Sequence, residues 1–201
     1  MIVKPPLILK KLFSDLVWDI KTINKEIYLT FDDGPHPKIT EQVLKILDEF
    51  NVNATFFCVG ENVEKYSDTF KQIIRNGHKV GNHSYNHLNG WQTSNADYFN
   101  NIENADKLIN SNLFRPPYGR IALSQIKPLA KKYSIIMWSV LTYDYDNNVS
   151  KERCLKNSIR KTKSGSIVVF HDSVKSADNL FYALPLFIKH FLDKGYTFGL
   201  L

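Results

Sequence analysis

Two adjacent carboxylates end an apolar run in this chain. The stretch LTFDDGPHP at 29–37 places Asp32 and Asp33 directly after a run typical of a buried strand. Because successive strand side chains point to opposite faces, the two acids can share a site only if the strand ends between them. Gly34 and Pro35 favour that end, since glycine allows positive φ and proline fixes φ. One acid could then bind a metal ion and the other act as a general base; a solvent-exposed turn is the alternative.

A pair of histidines could bind a metal ion together with one of these acids. The stretch HSYNH places His83 and His87 four residues apart, on one helix face or in a turn after a strand. Neutral imidazoles bind zinc and related metals, and catalytic zinc sites usually have three protein ligands and one open position. Since His87 could simply stabilise a turn, the pair alone is modest support. With Asp32 or Asp33 as the third ligand, the sequence indicates a metal site.

These side chains must be positioned by strands that alternate with helices. Alternation of this kind implies parallel strands joined by βαβ crossovers, as in a small barrel or a doubly wound sheet. In either fold, functional side chains lie at the carboxyl ends of the strands. A break is expected at Pro185. The predicted strands are 26–31, 54–60, 78–84, 134–140, 166–170 and 196–201, and the predicted helices 37–50, 62–76, 94–108, 121–132, 150–162 and 180–192.

Further polar residues follow the other predicted strands. Arg115 follows the short run LF, Asp144 follows SIIMWSV, and His171 follows SIVVF. Their joint placement at one edge is harder to explain by surface solvation than any one of them alone. A lone histidine after an apolar strand is often a satisfied core residue. At this edge, however, His171 is a candidate general acid, because histidine titrates in the range needed to protonate a leaving amine.

Composition indicates one globular domain. The chain has 201 residues, and we interpret 1–25 as an N-terminal extension packed on a domain over 26–201. The formal net charge is +6, but no convincing basic block with interleaved aromatic residues is present, so no nucleic-acid partner is predicted. The densest basic stretch, 151–163, is interpreted as a solvated helix face.

No membrane-spanning segment or export signal is evident in the sequence. No apolar run approaches the roughly 20 residues that span a bilayer, and no signal peptide is recognisable. The localisation is therefore expected to be cytoplasmic or peripheral at the cell envelope. The N-terminal extension could give weak association with a membrane surface.

The motifs together resemble the polysaccharide deacetylase family, also called the NodB homology domain or carbohydrate esterase family 4. TFDDGP at 30–35, HSYNH at 83–87 and RPPYG at 115–119 match its first three motifs in order. WSVLTYDYD at 138–146 meets the fourth motif only partly, and VFH at 169–171 meets the fifth loosely. The resemblance covers about 28–201 and implies an α/β fold, a single-domain distorted (β/α)7 barrel with parallel strands.

The resemblance also implies a metal centre and an activity. Carried over by position, Asp33, His83 and His87 would bind a divalent metal, most commonly zinc, with cobalt or nickel as alternatives. The implied reaction is hydrolytic deacetylation of an acetylated glycan that contains N-acetylglucosamine, such as peptidoglycan or a chitooligosaccharide. A metal-dependent amide hydrolase acting on a small non-sugar substrate and an inactive glycan-binding module are the alternatives.

The remaining implied roles concern proton transfer. Asp32 would be the general base, and Arg115 would orient it. The backbone N–H of Tyr118 would help to hold the oxyanion. His171 would be the general acid, and Asp144 would tune it by charge and hydrogen bonding.

Three positions depart from the family pattern. Leu141 stands where the fourth motif often has an aspartate, Tyr145 where it has tryptophan, and Val169 where the fifth motif has leucine. Tyr145 and Val169 keep the apolar bulk, so a similar pocket wall is expected. Leu141 removes a carboxylate close to the expected partner of His171.

Overall fold

The computed structural model describes residues 13–201. Strands alternate with helices along this part of the chain, as the sequence predicts. The strands are β1 (Leu16–Val17), β2 (Glu26–Asp32), β3 (Thr55–Cys58), β4 (Lys79–Asn82), β5 (Leu113–Phe114), β6 (Ser134–Ile136), β7 (Val140–Leu141), β8 (Ile167–His171) and β9 (Thr197–Gly199). The helices are α1 (Ile39–Glu49), α2 (Gly60–Lys65), α3 (Ser67–Arg75), α4 (Asn95–Ile109), α5 (Leu123–Ala130), α6 (Lys151–Arg160) and α7 (Ala177–Leu192).

The strands form one parallel sheet that curls back on itself. Its order is β1-β6-β5-β4-β3-β2-β8-β7, with β9 beside β2. Strands β6 and β7 lie far apart in this order, yet only residues 137–139 separate them in the chain, so the sheet must curve. Within this segment, which we call the seam, the Met137 N–H donates to Val17 O at 2.7 Å and the Ser139 N–H to Ile167 O at 3.0 Å. The distorted (β/α)7 barrel predicted from the sequence is confirmed.

Strand β2 lies between β3 and β8 and carries Asp32 at its carboxyl end. It pairs with β3 and β8 along its carboxyl half and is buried along nearly its whole length, which explains its apolar sequence. The register sets Asp32 directly beside His171. Below them, Phe31 packs against Phe56 and Phe170 with ring centroids 4.9 and 6.3 Å apart. A rigid apolar layer therefore supports the polar strand ends.

Two predicted helices start at serine caps. The Ser94 Oγ accepts from the Asp97 N–H at 3.2 Å at the start of α4, and the Ser150 Oγ accepts from the Arg153 N–H at 3.3 Å at the start of α6. Such caps satisfy backbone donors that the first helical turn leaves unpaired.

Three local predictions were wrong. The helix over 62–76 is divided at Tyr66, whose φ and ψ of −125° and 49° are not helical. The strand over 134–140 is interrupted by the seam. No break occurs at Pro185, because α7 runs through it while Leu184 and Phe187 beside it are fully buried. Burial of this apolar face outweighs the cost of the proline in the helix.

The N-terminal extension lies partly outside the described residues. From residue 13 onward it contributes β1, which pairs in parallel with β6. The boundary at residue 25 stays a prediction, and so does any membrane-surface contact of this segment. Over residues 13–201, none of the helices has the length and apolar character needed to cross a bilayer.

Candidate active site

A tight turn after β2 separates the two adjacent acids. Asp32 is the last residue of the strand and is 4% exposed, whereas Asp33 has a left-handed φ of 81°. The carboxylate of Asp172 closes this turn by accepting from the Gly34 N–H at 3.1 Å and from the Thr40 Oγ at 2.5 Å. A Cβ on Gly34 would lie 2.0 Å from that carboxylate, so only glycine fits. The change in backbone direction lets both acids reach the same cleft, as the sequence predicts.

Asp33, His83 and His87 converge on one point. Asp33 Oδ1 lies 3.7 Å from His83 Nε2 and 3.2 Å from His87 Nε2, and the ligating atoms of the three side chains lie within 4.8 Å of one another. Zinc binds such atoms at about 2.0–2.2 Å, and a tetrahedral arrangement then separates neighbouring ligand atoms by roughly 3.4 Å. The spacing of this cluster therefore fits a divalent metal ion.

The histidines reach this point from a turn, not from a helix. His83 directly follows β4, and both Ser84 and His87 have left-handed φ values, of 62° and 56°. His83 Nδ1 lies 2.7 Å from the carbonyl oxygen of Arg115. Because that oxygen can only accept, Nδ1 carries the proton and the Nε2 lone pair faces Asp33, as in metal-ligating histidines.

The charges of the cluster suit a cation. Burial lowers the pKa of His83 to about 4, so its imidazole is neutral at physiological pH. Burial alone would raise the pKa of Asp33, but the hydrogen bond from His87 and the positive charge of His171 hold it well below its usual range. Asp33 is therefore an anionic oxygen donor beside two imidazole nitrogens, a combination that suits zinc and its neighbours.

Arg115 holds Asp32 in a fixed orientation. Its Nη1 donates to Asp32 Oδ1 at 2.6 Å and to Thr30 Oγ at 2.8 Å. Its Nη2 and Nε donate to the carbonyl oxygens of Met137 and Ile136 at 3.1 and 3.3 Å. Arg115 is fully buried, and burial lowers the pKa of its guanidinium. These partners offset the loss of hydration of both charges.

His171 forms a second ion pair with Asp144. Its Nδ1 lies 2.8 Å from Asp144 Oδ1, and its backbone N–H donates to Asp144 Oδ2 at 2.7 Å. Burial alone would lower the pKa of His171, but the charge and the hydrogen bond of Asp144 raise it to about 9. Asp144 is itself fully buried and accepts a hydrogen bond from Thr142 Oγ at 3.0 Å. The imidazolium is thus paired with a carboxylate although Leu141 replaces the usual aspartate.

The polar groups open into one cleft of about 430 Å³. Tyr145 and Val169 form part of its wall, as expected from their apolar bulk, and Leu141, which pairs in register with Val169, lines it too. Tyr118 also lines the cleft, with a left-handed φ of 58° and a side chain that is 61% exposed. Asp32, Asp33, His83, His87 and His171 all face this cleft, while Arg115 and Asp144 lie behind it.

Sequence reasoning missed some of the supporting contacts. Asp172 follows His171 in the sequence, and its carboxylate closes the turn at Gly34. Trp138 in the seam lines the cleft and packs so closely on Gly119 that a Cβ there would lie 2.3 Å from the indole. The one available signal was the adjacent pair His171 and Asp172 after a buried strand. This pair does not show which groups the Asp172 carboxylate contacts.

Comparisons with known proteins agree with this geometry. A sequence model described as Polysaccharide deacetylase matches residues 19–136. Two Bacillus cereus proteins named peptidoglycan-N-acetylglucosamine deacetylase are 36% identical over 155 residues and 32% identical over 190 residues. The alignments cover 74% and 91% of this chain, and 56% and 89% of those proteins. The chain thus spans little more than half of the first relative and most of the second.

A solved structure matches over almost the whole chain. The crystal structure of the Bc1960 peptidoglycan N-acetylglucosamine deacetylase superposes with a TM-score of 0.90 at 31% identity, and the match covers 98% of this chain and 95% of that one. The family match and the fold therefore agree with the motifs around the cleft. The chain belongs to the polysaccharide deacetylase family, carbohydrate esterase family 4.

Proposed function

We propose that this chain is a metal-dependent deacetylase that releases acetate from N-acetylglucosamine units of a glycan. The proposal rests on one observation: three groups face the same cleft. They are the cluster of Asp33, His83 and His87, the Asp32 carboxylate and the His171 imidazolium. Hydrolysis of an amide needs a polarised carbonyl, a base for the attacking water and an acid for the leaving amine. This cleft contains residues suited to each task.

Asp33, His83 and His87 are proposed to hold the metal, and their donor set favours zinc, with cobalt and nickel as alternatives. A bound divalent ion would polarise the acetyl carbonyl and lower the pKa of the attacking water. His83 is prepared for this role because its hydrogen bond to the Arg115 carbonyl fixes the tautomer. His87 reaches the same point from the end of the turn.

Asp32 is proposed to accept the proton of the attacking water. Arg115 restrains one of its oxygens through a hydrogen bond of 2.6 Å, so the carboxylate needs no reorientation during the reaction. The backbone N–H of Tyr118 is proposed to donate a hydrogen bond to the acetyl oxygen as negative charge develops there. Tyr118 lines the cleft and has a left-handed backbone, which supports this assignment.

His171 is proposed to protonate the amine as the bond to acetate breaks. With a pKa raised to about 9 it carries its proton at neutral pH, as a general acid must. Asp144 sustains that charge and directs the opposite ring nitrogen, Nε2, away from itself. The products are acetate and a free amino sugar.

The activity is tested by measuring acetate release from a panel of acetylated compounds, with zinc, cobalt or nickel supplied in turn. The panel contains peptidoglycan strands, chitooligosaccharides and small non-sugar N-acetyl amides. Release from the glycans alone supports the proposal, whereas release from the small amides alone favours the non-sugar hydrolase. No release from any compound with any metal favours the inactive glycan-binding module. A glycan substrate favours the cell envelope as the place of action, which stays a prediction.

A further inference from the structure

An exposed aromatic and cationic surface borders the cleft. It consists of Trp91, Tyr118 and Arg120, which we call the rim platform. The two aromatic side chains are 64% and 61% exposed. The Trp91 Nε1–H donates to the carbonyl oxygen of Ile121 at 2.9 Å, so the indole is oriented although most of it faces solvent. Large exposed aromatic rings of fixed orientation indicate a binding surface.

Arg120 joins the two rings and lines the cleft. Its guanidinium carbon lies 5.4 Å from the Trp91 ring centroid and 6.0 Å from that of Tyr118. Among residues 13–201, no carboxylate forms an ion pair with it. A second cation, Lys175, lines the same cleft, with its Nζ 5.8 Å from the ring centroid of Tyr145. The mouth of the cleft therefore offers cationic donors held by aromatic rings.

We propose that the rim platform is a subsite for a carboxylate-bearing sugar of the glycan chain, next to the unit that is deacetylated. The inference rests on the function proposed above and narrows its substrate to acidic glycans in preference to neutral ones. The aromatic faces of Trp91 and Tyr118 contact the C–H groups of the sugar. The planar guanidinium of Arg120 donates two parallel hydrogen bonds to its carboxylate.

The test compares two glycans that differ only in charge. One is a peptide-free tetrasaccharide of alternating N-acetylglucosamine and N-acetylmuramic acid, and the other is the same tetrasaccharide with its carboxylates reduced to alcohols. Kinetics of acetate release are measured for the wild type and for R120Q. We expect R120Q to raise KM for the acidic glycan about two- to fivefold, and to raise KM for the reduced glycan by a smaller factor.

Two further variants make the test specific. R160Q removes the same charge from an exposed position on α6 and should leave KM and kcat unchanged for both glycans. W91A should raise KM for both glycans, because stacking on the sugar needs an aromatic ring but no charge. W91F keeps a ring, so its KM values should stay close to those of the wild type. The subsite is overturned if the wild type does not distinguish the two glycans, or if R120Q and R160Q behave alike.

Direct binding separates this inference from the proposed function. Both glycans are titrated by calorimetry into chelator-treated protein, in which no turnover is expected. If acetate is never released but the acidic glycan still binds more tightly in an Arg120-dependent way, the deacetylase proposal fails and the subsite stands. If acetate is released but binding is independent of both carboxylate and Arg120, the subsite fails and the deacetylase proposal stands.

Discussion

The floor of the cleft and the rim platform hold their side chains in different ways. On the floor, Arg115 is fully buried and Asp32 is 4% exposed, and hydrogen bonds fix both. At the rim, Trp91 is 64% exposed and Arg120 contacts rings and no carboxylate of the described chain. Burial makes each floor contact strong and each missing partner costly, whereas solvent screens the contacts of the rim.

This difference suggests that the floor carries out the reaction and that the rim platform selects the glycan. The floor must hold its groups to a fraction of an ångström, because a small displacement of a base or a metal ligand costs orders of magnitude in rate. The rim contributes a few weak contacts that distinguish one glycan from another. Floor substitutions should therefore reduce kcat severely, and rim substitutions should change KM several-fold. The following predictions test this contrast, from the largest effect to the smallest.

H83A should abolish both metal binding and acetate release. The substitution removes one of the three proposed ligands and leaves a void in a buried site, so the protein should be as inactive as the metal-free wild type. Metal content by elemental analysis is the direct measurement. Full metal content in H83A would mean that the ligand set is wrong. H190A, at a histidine outside the cleft, serves as the control.

D32N should lower kcat by about 10²–10⁴-fold while metal remains bound. The amide keeps the shape of the carboxylate but cannot accept the proton of the attacking water. Acetate release and metal content are measured on the same sample. D193N, at an exposed acid that does not line the cleft, is the matched control. Retained activity in D32N would contradict the assignment of the base.

R115M should destabilise the fold by about 3–5 kcal/mol, because it leaves the buried Asp32 without its positive partner. Denaturant unfolding of the metal-free protein measures this change apart from metal binding. R120M, the same substitution at an exposed position of the rim, should change the unfolding free energy by less than about 0.5 kcal/mol. Equal effects of the two substitutions would remove the distinction between floor and rim.

D144N should shift the alkaline limit of activity. In the wild type the proposed acid role of His171 should be lost as pH rises through its pKa of about 9. Without the Asp144 charge this limit should move toward the ordinary histidine value of about 6.5. The pH profile of kcat with metal saturating gives the shift. An unchanged profile would contradict the assignment of His171 as the acid.

The same pair gives a prediction for stability. The pKa of His171 is raised on folding, so its contribution to stability is complete below about pH 6.5 and is lost as pH rises through about 9. D144N should remove this dependence. Unfolding free energies measured from pH 6 to pH 10 test the sign, and a contribution that grows with pH would contradict it.

D172A should weaken metal binding by about 10–100-fold, the loss usual when a contact that supports a ligand is removed. Asp172 is not one of the proposed metal ligands, but it closes the turn from which Asp33 projects. D172N keeps an oxygen acceptor for the Gly34 N–H and should retain most of the affinity. Metal titration of both variants measures the difference, and equal affinities for D172A and the wild type would refute the role of the turn.

The sequence predicted the fold and the convergence of polar side chains on one cleft better than the contacts that support those side chains. Alternation of strand and helix and the placement of polar residues after strands depend on local pattern, and these predictions agree with the structure. The seam was missed because the break between β6 and β7 depends on curvature of the whole sheet. Pro185 was misjudged because burial of Leu184 and Phe187 outweighs its local preference.

The missed parts of the site share a physical cause. Arg115 bonds to Thr30 and to Met137, and Asp172 bonds to Gly34, across long stretches of chain. Residue type shows that a buried charge needs partners, but only the register of the sheet determines which groups are near enough. The assignment of roles to individual side chains still awaits the substitutions described above.

One residue has a consequence for how this protein can change over time. Arg115 holds the carboxylate of Asp32 with its side chain, accepts from His83 with its own carbonyl and binds the seam through Met137. A substitution at Arg115 would therefore disturb the contact to Asp32 and the contact to the seam together, and a shift of its backbone would also move the partner of His83. Inherited variation in substrate preference should therefore accumulate at the mouth of the cleft, and protein engineers seeking new specificities should diversify that region first.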